Sequence, residues 1–190
     1  DSSNKKSYST HSGSFDGDND YARRANAFEF GSSFSVSFWT KPDDAETNLW
    51  WKFVDNHYAH GGSQVAGWHV SRDNVNDKIR FQGWATDGSG SGSQNNGVFD
   101  ISSSSAIDFD GSTWYHISCV YDKPNDKAYI YIDGVEVASG DTQGNICYTN
   151  SGGNSVEYFT VGARTNNSTN TENLKGFIDE LGVWEKPLSS

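Results

Sequence analysis

The chain has 190 residues, long enough to bury one ordinary core without help from metals or many disulfides. Lys and Arg number 14 against 25 Asp and Glu, a formal net charge of −11. That sign argues against a nucleic-acid binder, whose affinity rests on cations neutralising phosphates, and against docking on anionic lipid. Hydrophobic residues are only 34% of the chain, yet aromatics reach 14%, a share that disordered chains lack, so the chain folds. Its longest apolar run, 128–132, is far below the roughly 20 residues a membrane-spanning helix needs. It holds no Met and is read as an excised or processed piece of a larger protein.

Along the chain the dominant pattern is alternation with period two. Residues 1–9 are polar and read as a frayed extension. Phe34, Val36 and Phe38 alternate with Ser33, Ser35 and Ser37, a strand with one buried face. Further strands are expected at 49–54, 65–70, 78–84 and 97–101. Tyr115, Ile117, Cys119 and Tyr121 then alternate with His116, Ser118 and Val120. Ala128, Ile130 and Ile132 lead into Asp133-Gly134, a strong hairpin signal before Val135 and Val137. Strands at 158–163 and 175–184 complete the set. The stretches 88–97, 145–154 and 165–173 are rich in Gly, Ser and Asn and read as loops. No window shows helical periodicity and no boundary divides the chain. The expectation is one all-β domain over 1–190, an antiparallel two-sheet sandwich. Phe34, Phe38, Ile117, Ile130, Ile132, Val161 and Ile178 are expected in its core.

Six ordered segments carry a resemblance. They are Ser14-Phe15-Asp16-Gly17-Asp18-Asn19-Asp20-Tyr21 and Phe34-Ser35-Val36-Ser37-Phe38-Trp39-Thr40-Lys41-Pro42. Then come Trp114-Tyr115-His116-Ile117 with Val120-Tyr121-Asp122, and Ala128-Tyr129-Ile130-Tyr131-Ile132-Asp133-Gly134. The last are Phe159-Thr160-Val161-Gly162 and Gly176-Phe177-Ile178-Asp179-Glu180-Leu181 with Trp184 and Pro187-Leu188-Ser189. Together they resemble the laminin G-like jelly roll of the concanavalin A-like lectin/glucanase superfamily. The resemblance implies two curved antiparallel sheets stacked face to face, with ligand on a sheet face or rim loops. It says less of function, because the fold hosts lectins, adhesion modules, glycosidases and lyases.

Asp16, Asp18 and Asp20 form the densest acidic cluster, but an EF-hand reading fails because the sixth position is Tyr21 and the twelfth Ala27. The resemblance implies another role, in which these carboxylates and Asp179 share a structural calcium ion. The alternative is a solvated turn in which Asp16 bonds its own backbone. Trp50 and Trp51 point to opposite faces of a strand, so one can be exposed. Trp51, Tyr58 and Trp84 are the candidates for stacking on a sugar, with Asp55, Asn56, Asp73 and Asn74 for its hydroxyls. Trp39, Trp114 and Trp184 are assigned to the scaffold, and His116 to a structural hydrogen bond. His57 and His60 lie three apart, without further ligands indicated by spacing. Two cysteines allow one disulfide, Cys119–Cys147, or two thiols; the bridge is the preferred reading, although the resemblance places the usual partner of the Cys119 position earlier in the chain.

Glycosidase chemistry needs two carboxylates across the scissile bond. The superfamily's Glu-x-Asp-x-x-Glu strand does not occur, nor do its lyase motifs, a nucleophile elbow, a P-loop or a dinucleotide fingerprint. The expected function is therefore a non-catalytic carbohydrate-binding module of an extracellular, cell-surface or virion-associated protein. A net charge of −11 favours a neutral glycan over an acidic one. The competing readings are a protein-interaction or adhesion module and a divergent hydrolase or lyase.

Overall fold

A computed structural model describes residues 11–43, 51–60, 64–73, 76–85, 97–149, 153, 155–166 and 169–188. Its strands in chain order are β1 (Gly13–Asp16), β2 (Ala22–Ala25), β3 (Phe34–Pro42), β4 (Lys52–His60) and β5 (Gln64–Arg72). They continue with β6 (Ile79–Trp84), β7 (Gly97–Ser102), β8 (Tyr115–Asp122), β9 (Lys127–Ile132) and β10 (Val135–Asp141). The last are β11 (Tyr158–Val161), β12 (Arg164–Asn166), β13 (Thr169–Thr171) and β14 (Lys175–Trp184). One six-stranded sheet has the order β1-β14-β3-β8-β9-β10 and the other β2-β11-β4-β5-β6-β7, while β12 and β13 pair separately. Adjacent strands are antiparallel throughout. This is the two-sheet sandwich that the alternation implied.

The pleat explains the core. Phe34, Val36 and Phe38 on β3 point inward beside Ile117, Cys119 and Tyr121 on β8 and Ile130 on β9, all buried. Opposite them, the second sheet supplies Phe53, Trp68, Val70, Ile79, Phe81 and Phe99. The halves meet ring to ring, Phe34 on Trp68 at 4.5 Å and Phe38 on Phe53 at 5.6 Å between centroids. Ile178 is buried as expected, while Ile132 and Val161 are half-buried at the margin of the core. The outward serines Ser35 and Ser37 are also buried, for a different reason. The Ser35 hydroxyl donates to the Lys186 carbonyl and accepts the Leu188 N–H, each at 2.9 Å, so the segment after β14 lies over it.

The Asp133-Gly134 turn is the expected hairpin, with φ of 51° and 79° at its two residues. Positive φ at both central positions matches the twist of the strands it joins. Irregularities in β4 and β14 matter more for function. The β4–β5 register shifts between Lys52 and Val54, so Phe53 and Val54 both turn into the core. The β14–β3 register shifts between Asp179 and Gly182, after which Trp184 stands opposite the outward Ser35. Trp184 is therefore 38% exposed, a correction to its scaffold assignment. Its indole lies over Gly182, where a Cβ would collide with the ring.

Candidate functional site

Four strands of the second sheet bring polar side chains onto its outer face in rows. Across β4, β5, β6 and β7 one row reads Asp55, His69, Gln82 and Asp100. The next reads Lys52, Ser71, Arg80 and Ser102. On the other side, His57 and Trp84 flank Gly67. Gly67 has φ of +88°, and a Cβ there would strike the Asn56 carbonyl. With no side chain between them, the His57 and Trp84 rings stack at 4.7 Å and 28°. Arg164 from β12 and Glu172, just after β13, close one side. The result is a pocket of about 420 Å³ whose wall includes Lys52, His57, His69, Arg80, Gln82 and Trp84.

Each cation of this pocket has a carboxylate beside it, Lys52 and Arg164 sharing one. Lys52 Nζ is 3.0 Å from Glu172 Oε2, and Arg164 Nη1 donates to Glu172 Oε1 at 2.7 Å. Arg80 grips Asp100 with two bonds, at 2.8 and 2.5 Å. Burial pushes the Lys52 ammonium down from its ordinary pKa, partly countered by Glu172 and Asp55. Burial pushes the Glu172 carboxyl up, but Lys52 and Arg164 outweigh it and hold the group below its ordinary value. His57 and His69 are both lowered by burial, His69 strongly and with Lys52 adding to the effect, so both rings are neutral near pH 7.

The imidazoles also contact each other and Asp55. His57 Nδ1 lies 3.2 Å from Asp55 Oδ1, and His69 Nδ1 lies 3.9 Å from the same oxygen. His69 Nε2 has Gln82 Oε1 at 3.0 Å and Lys52 Nζ at 3.4 Å. Nε2 therefore meets both an acceptor, Gln82 Oε1, and a donor, Lys52 Nζ, and the tautomer follows from which of the two it engages. His69 Nδ1 is buried and has no hydrogen-bond partner.

A family model described as Concanavalin A-like lectin/glucanases superfamily matches residues 16–190. The chain belongs to this superfamily. No curated protein matches it. Solved structures similar to it include the CBM40 domain of the Ruminococcus gnavus IT-sialidase bound to α2,3-sialyllactose, at 17% identity and a TM-score of 0.60, covering 83% of this chain and 78% of that one. Domain 4 of a GH43 extracellular arabinanase from Geobacillus stearothermophilus, in complex with arabinotriose, is 22% identical with a TM-score of 0.56, covering 88% and 67%. A heptameric SAP-like pentraxin from Limulus polyphemus is 13% identical with a TM-score of 0.56, covering 93% and 76%.

Within this superfamily fold, the residues singled out from sequence scatter. Trp84 and Asp55 belong to the site, Trp84 as wall and Asp55 behind the two imidazoles. Trp51 does not: it is 1% exposed, packed on Phe109 at 5.6 Å and under the Arg72 guanidinium at 4.6 Å. Asn56 is also no ligand for solvent. It points inward, where its amide accepts the Phe28 N–H and donates to the Phe28 carbonyl, each at 2.8 Å. Tyr58 is half-buried on β4, and Asp73 follows β5 with its N–H donated to the Lys78 carbonyl at 2.8 Å. Trp50 and Asn74 lie outside the described residues. Sequence reading missed Lys52, His69, Arg80, Gln82, Arg164 and Glu172, because only the strand register gathers them.

The acidic loop is a turn bonded to itself. Asp16 Oδ1 accepts the N–H of Asp18 at 2.9 Å and of Asn19 at 3.4 Å, and Asp20 Oδ2 accepts that of Asp16 at 3.1 Å. The Asp18 N–H is the largest cause that lowers the Asp16 pKa. Asp16 stands opposite Lys175 and Gly13 opposite Ile178, so Asp179 lies past the far end of β1, about 13 Å along the strand from Lys175. The structure does not bring Asp179 to Asp16, Asp18 and Asp20. The expected disulfide is corrected as well, since Cys119 and Cys147 are not bridged. Cys119 is buried on the inner face of β8, whereas Cys147 is tied to the other sheet through Trp84 and Gly67, with backbone bonds of 2.9 and 2.6 Å. His116 fills its expected structural role, its Nε2 2.7 Å from Ser37 Oγ.

Proposed function

We propose that this domain is a carbohydrate-binding module that holds a neutral glycan in the outer-face pocket of the second sheet without cleaving it. The observation that carries the reading is the pocket itself, about 420 Å³ of hydrogen-bonding side chains around the edge of a Trp84–His57 stack. A sugar offers hydroxyls to the former and an apolar C–H face to the latter. Modules similar in fold include one bound to sialyllactose and one in complex with arabinotriose, which supports the glycan class. Preference for a neutral chain follows from the pairing of charges. Lys52 and Arg164 face Glu172, and Arg80 faces Asp100, so among the described residues of the pocket an anionic sugar meets no cation without a carboxylate beside it.

The same pairing opposes catalysis. A glycosidase acid must keep its proton near neutral pH, which requires a raised pKa. Glu172 is lowered instead.

A second reading is favoured by one observation, the exposed Trp184. It borders a groove of about 290 Å³ on the first sheet, with Ser37, His116, Ser118 and Tyr131 in its wall. Titration against neutral and acidic polysaccharides, with reducing ends followed in parallel, tests both. Binding of a neutral glycan that Arg80→Ala abolishes places it on the second sheet. Sugar release that survives repurification defeats the non-catalytic reading, and binding untouched by Arg80→Ala moves the glycan to the first sheet.

A further inference from the structure

We propose that Asp55, His57 and His69 form a binding site for a transition-metal dication of the zinc type, set in the wall of the second sheet's outer-face pocket. One ligating atom from each lies within 4.8 Å of the other two, and all three residues are buried. The donor set names the class of ion. Two imidazoles and one carboxylate suit zinc, cobalt or nickel, whereas calcium seeks six to eight oxygens and finds one carboxylate here.

Distances fit with modest closure. Zinc bonds of about 2.0–2.2 Å at tetrahedral angles put donor atoms about 3.4 Å apart. The Asp55 oxygen is 3.2 Å from His57 Nδ1 and 3.9 Å from His69 Nδ1. Without metal, His57 Nδ1–H donates to Asp55; with metal, that proton moves to Nε2 and Nδ1 faces the ion.

The second observation is independent of the clustering. His69 is 3% exposed, and its Nδ1 has no hydrogen-bond partner. In the tautomer that donates Nε2–H to Gln82 Oε1, 3.0 Å away, Nδ1 presents a lone pair on the side of Asp55. Metal-bound histidines are commonly oriented in this way by a partner on the other ring nitrogen. The Lys52 charge, which opposes a cation here, is matched by Glu172 at 3.0 Å. His57 and His69 also line the pocket, so the metal would sit directly behind its wall.

The test needs no sugar, so its outcome is separate from that of the glycan reading. Chelator-treated full chain is titrated with zinc chloride by calorimetry and with cobalt(II) by visible absorption. One equivalent is expected to bind, with the strong d–d band of four-coordinate cobalt. His57→Gln and His69→Gln should each weaken binding at least 100-fold, Gln82→Ala about 10- to 100-fold, and Asp18→Asn not at all. Gln82→Ala carries the test if a histidine variant does not fold, since Gln82 is half-buried and not a ligand. Excess calcium should not displace the zinc. Failure to bind either metal overturns the proposal. So does binding that is undiminished in Gln82→Ala and in whichever histidine variants fold.

Discussion

On the second sheet, the outward positions of β4 to β7 carry Lys52, Asp55, His57, His69, Arg80 and Gln82, with Arg164 and Glu172 beside them. On the first sheet, the outward positions of β3, β8 and β14 carry Ser35, Ser37, His116, Ser118 and Trp184. Both faces are half of the same pleat, yet one holds buried charge and the other a half-open aromatic edge. The difference lies in what covers them. The buried Lys52 ammonium on the second sheet is tolerated under cover because the Glu172 carboxylate lies 3.0 Å away. The first sheet needs no such matching, since small hydroxyls and one imidazole satisfy each other through Ser118 to Ser37 at 3.1 Å and Ser37 to His116 at 2.7 Å. A polar, preformed pocket is the more specific of the two, and a shallow aromatic groove the more permissive.

The sharpest break in this comparison is Trp84→Ala. Trp84 is 7% exposed and contacts both His57 and His69, so its loss removes the pocket wall and opens a cavity. A cost of about 3–5 kcal/mol is expected in denaturant unfolding, with loss of glycan binding. A cost below about 1 kcal/mol would mean that the second sheet does not depend on its outer wall. Glu172→Gln comes next. It leaves the buried Lys52 without a full charge partner, which costs about 3 kcal/mol for a buried pair.

Acid should reveal the same carboxylate. The Glu172 pKa is lowered in the fold from an ordinary value of 4.5. Its contribution to stability is therefore complete above pH 4.5 and is lost as pH falls through the lower folded value. Between these limits the wild-type melting temperature should fall more steeply with pH than that of Glu172→Gln. Parallel slopes would show that the Lys52–Glu172 pair does not tune stability.

How much of this was legible in the sequence differs between the two faces. The first sheet was read nearly whole, because β3, β8 and β9 alternate cleanly and the Asp133-Gly134 turn fixes the β9–β10 register. Edge strands were not: β2 is Ala-Arg-Arg-Ala, exposed throughout, with no apolar face to betray it. The β12–β13 hairpin is made wholly of polar residues and reads as loop. Trp51 was misplaced because the β4 irregularity near it breaks the parity that would tell inside from outside. His69 was invisible for a deeper reason. Nothing local marks it, and only the β4–β5 register sets it opposite Asp55. Long-range pairing carries the site, and alternation alone carries no information about which strand is next to which.

The smallest expected effect discriminates most between the two faces. Trp184 is 38% exposed, and its ring rests on Gly182 rather than in the core. Trp184→Ala should change stability by no more than about 0.5 kcal/mol, as for other surface substitutions. If the glycan sits on the second sheet, affinity should be unchanged, because Trp184 borders a different groove from Trp84. If the glycan instead stacks on the first sheet, losing this ring should cost about 1–3 kcal/mol of binding, the range of aromatic anchors at other interfaces. Gly182→Ala makes the same argument from the backbone, since its added methyl displaces the indole without removing it. Calorimetric titration of both variants with the best-binding neutral polysaccharide settles the choice: equal weakening in the two assigns the groove, and wild-type affinity in the two leaves the paired charges of the second sheet as the binding face.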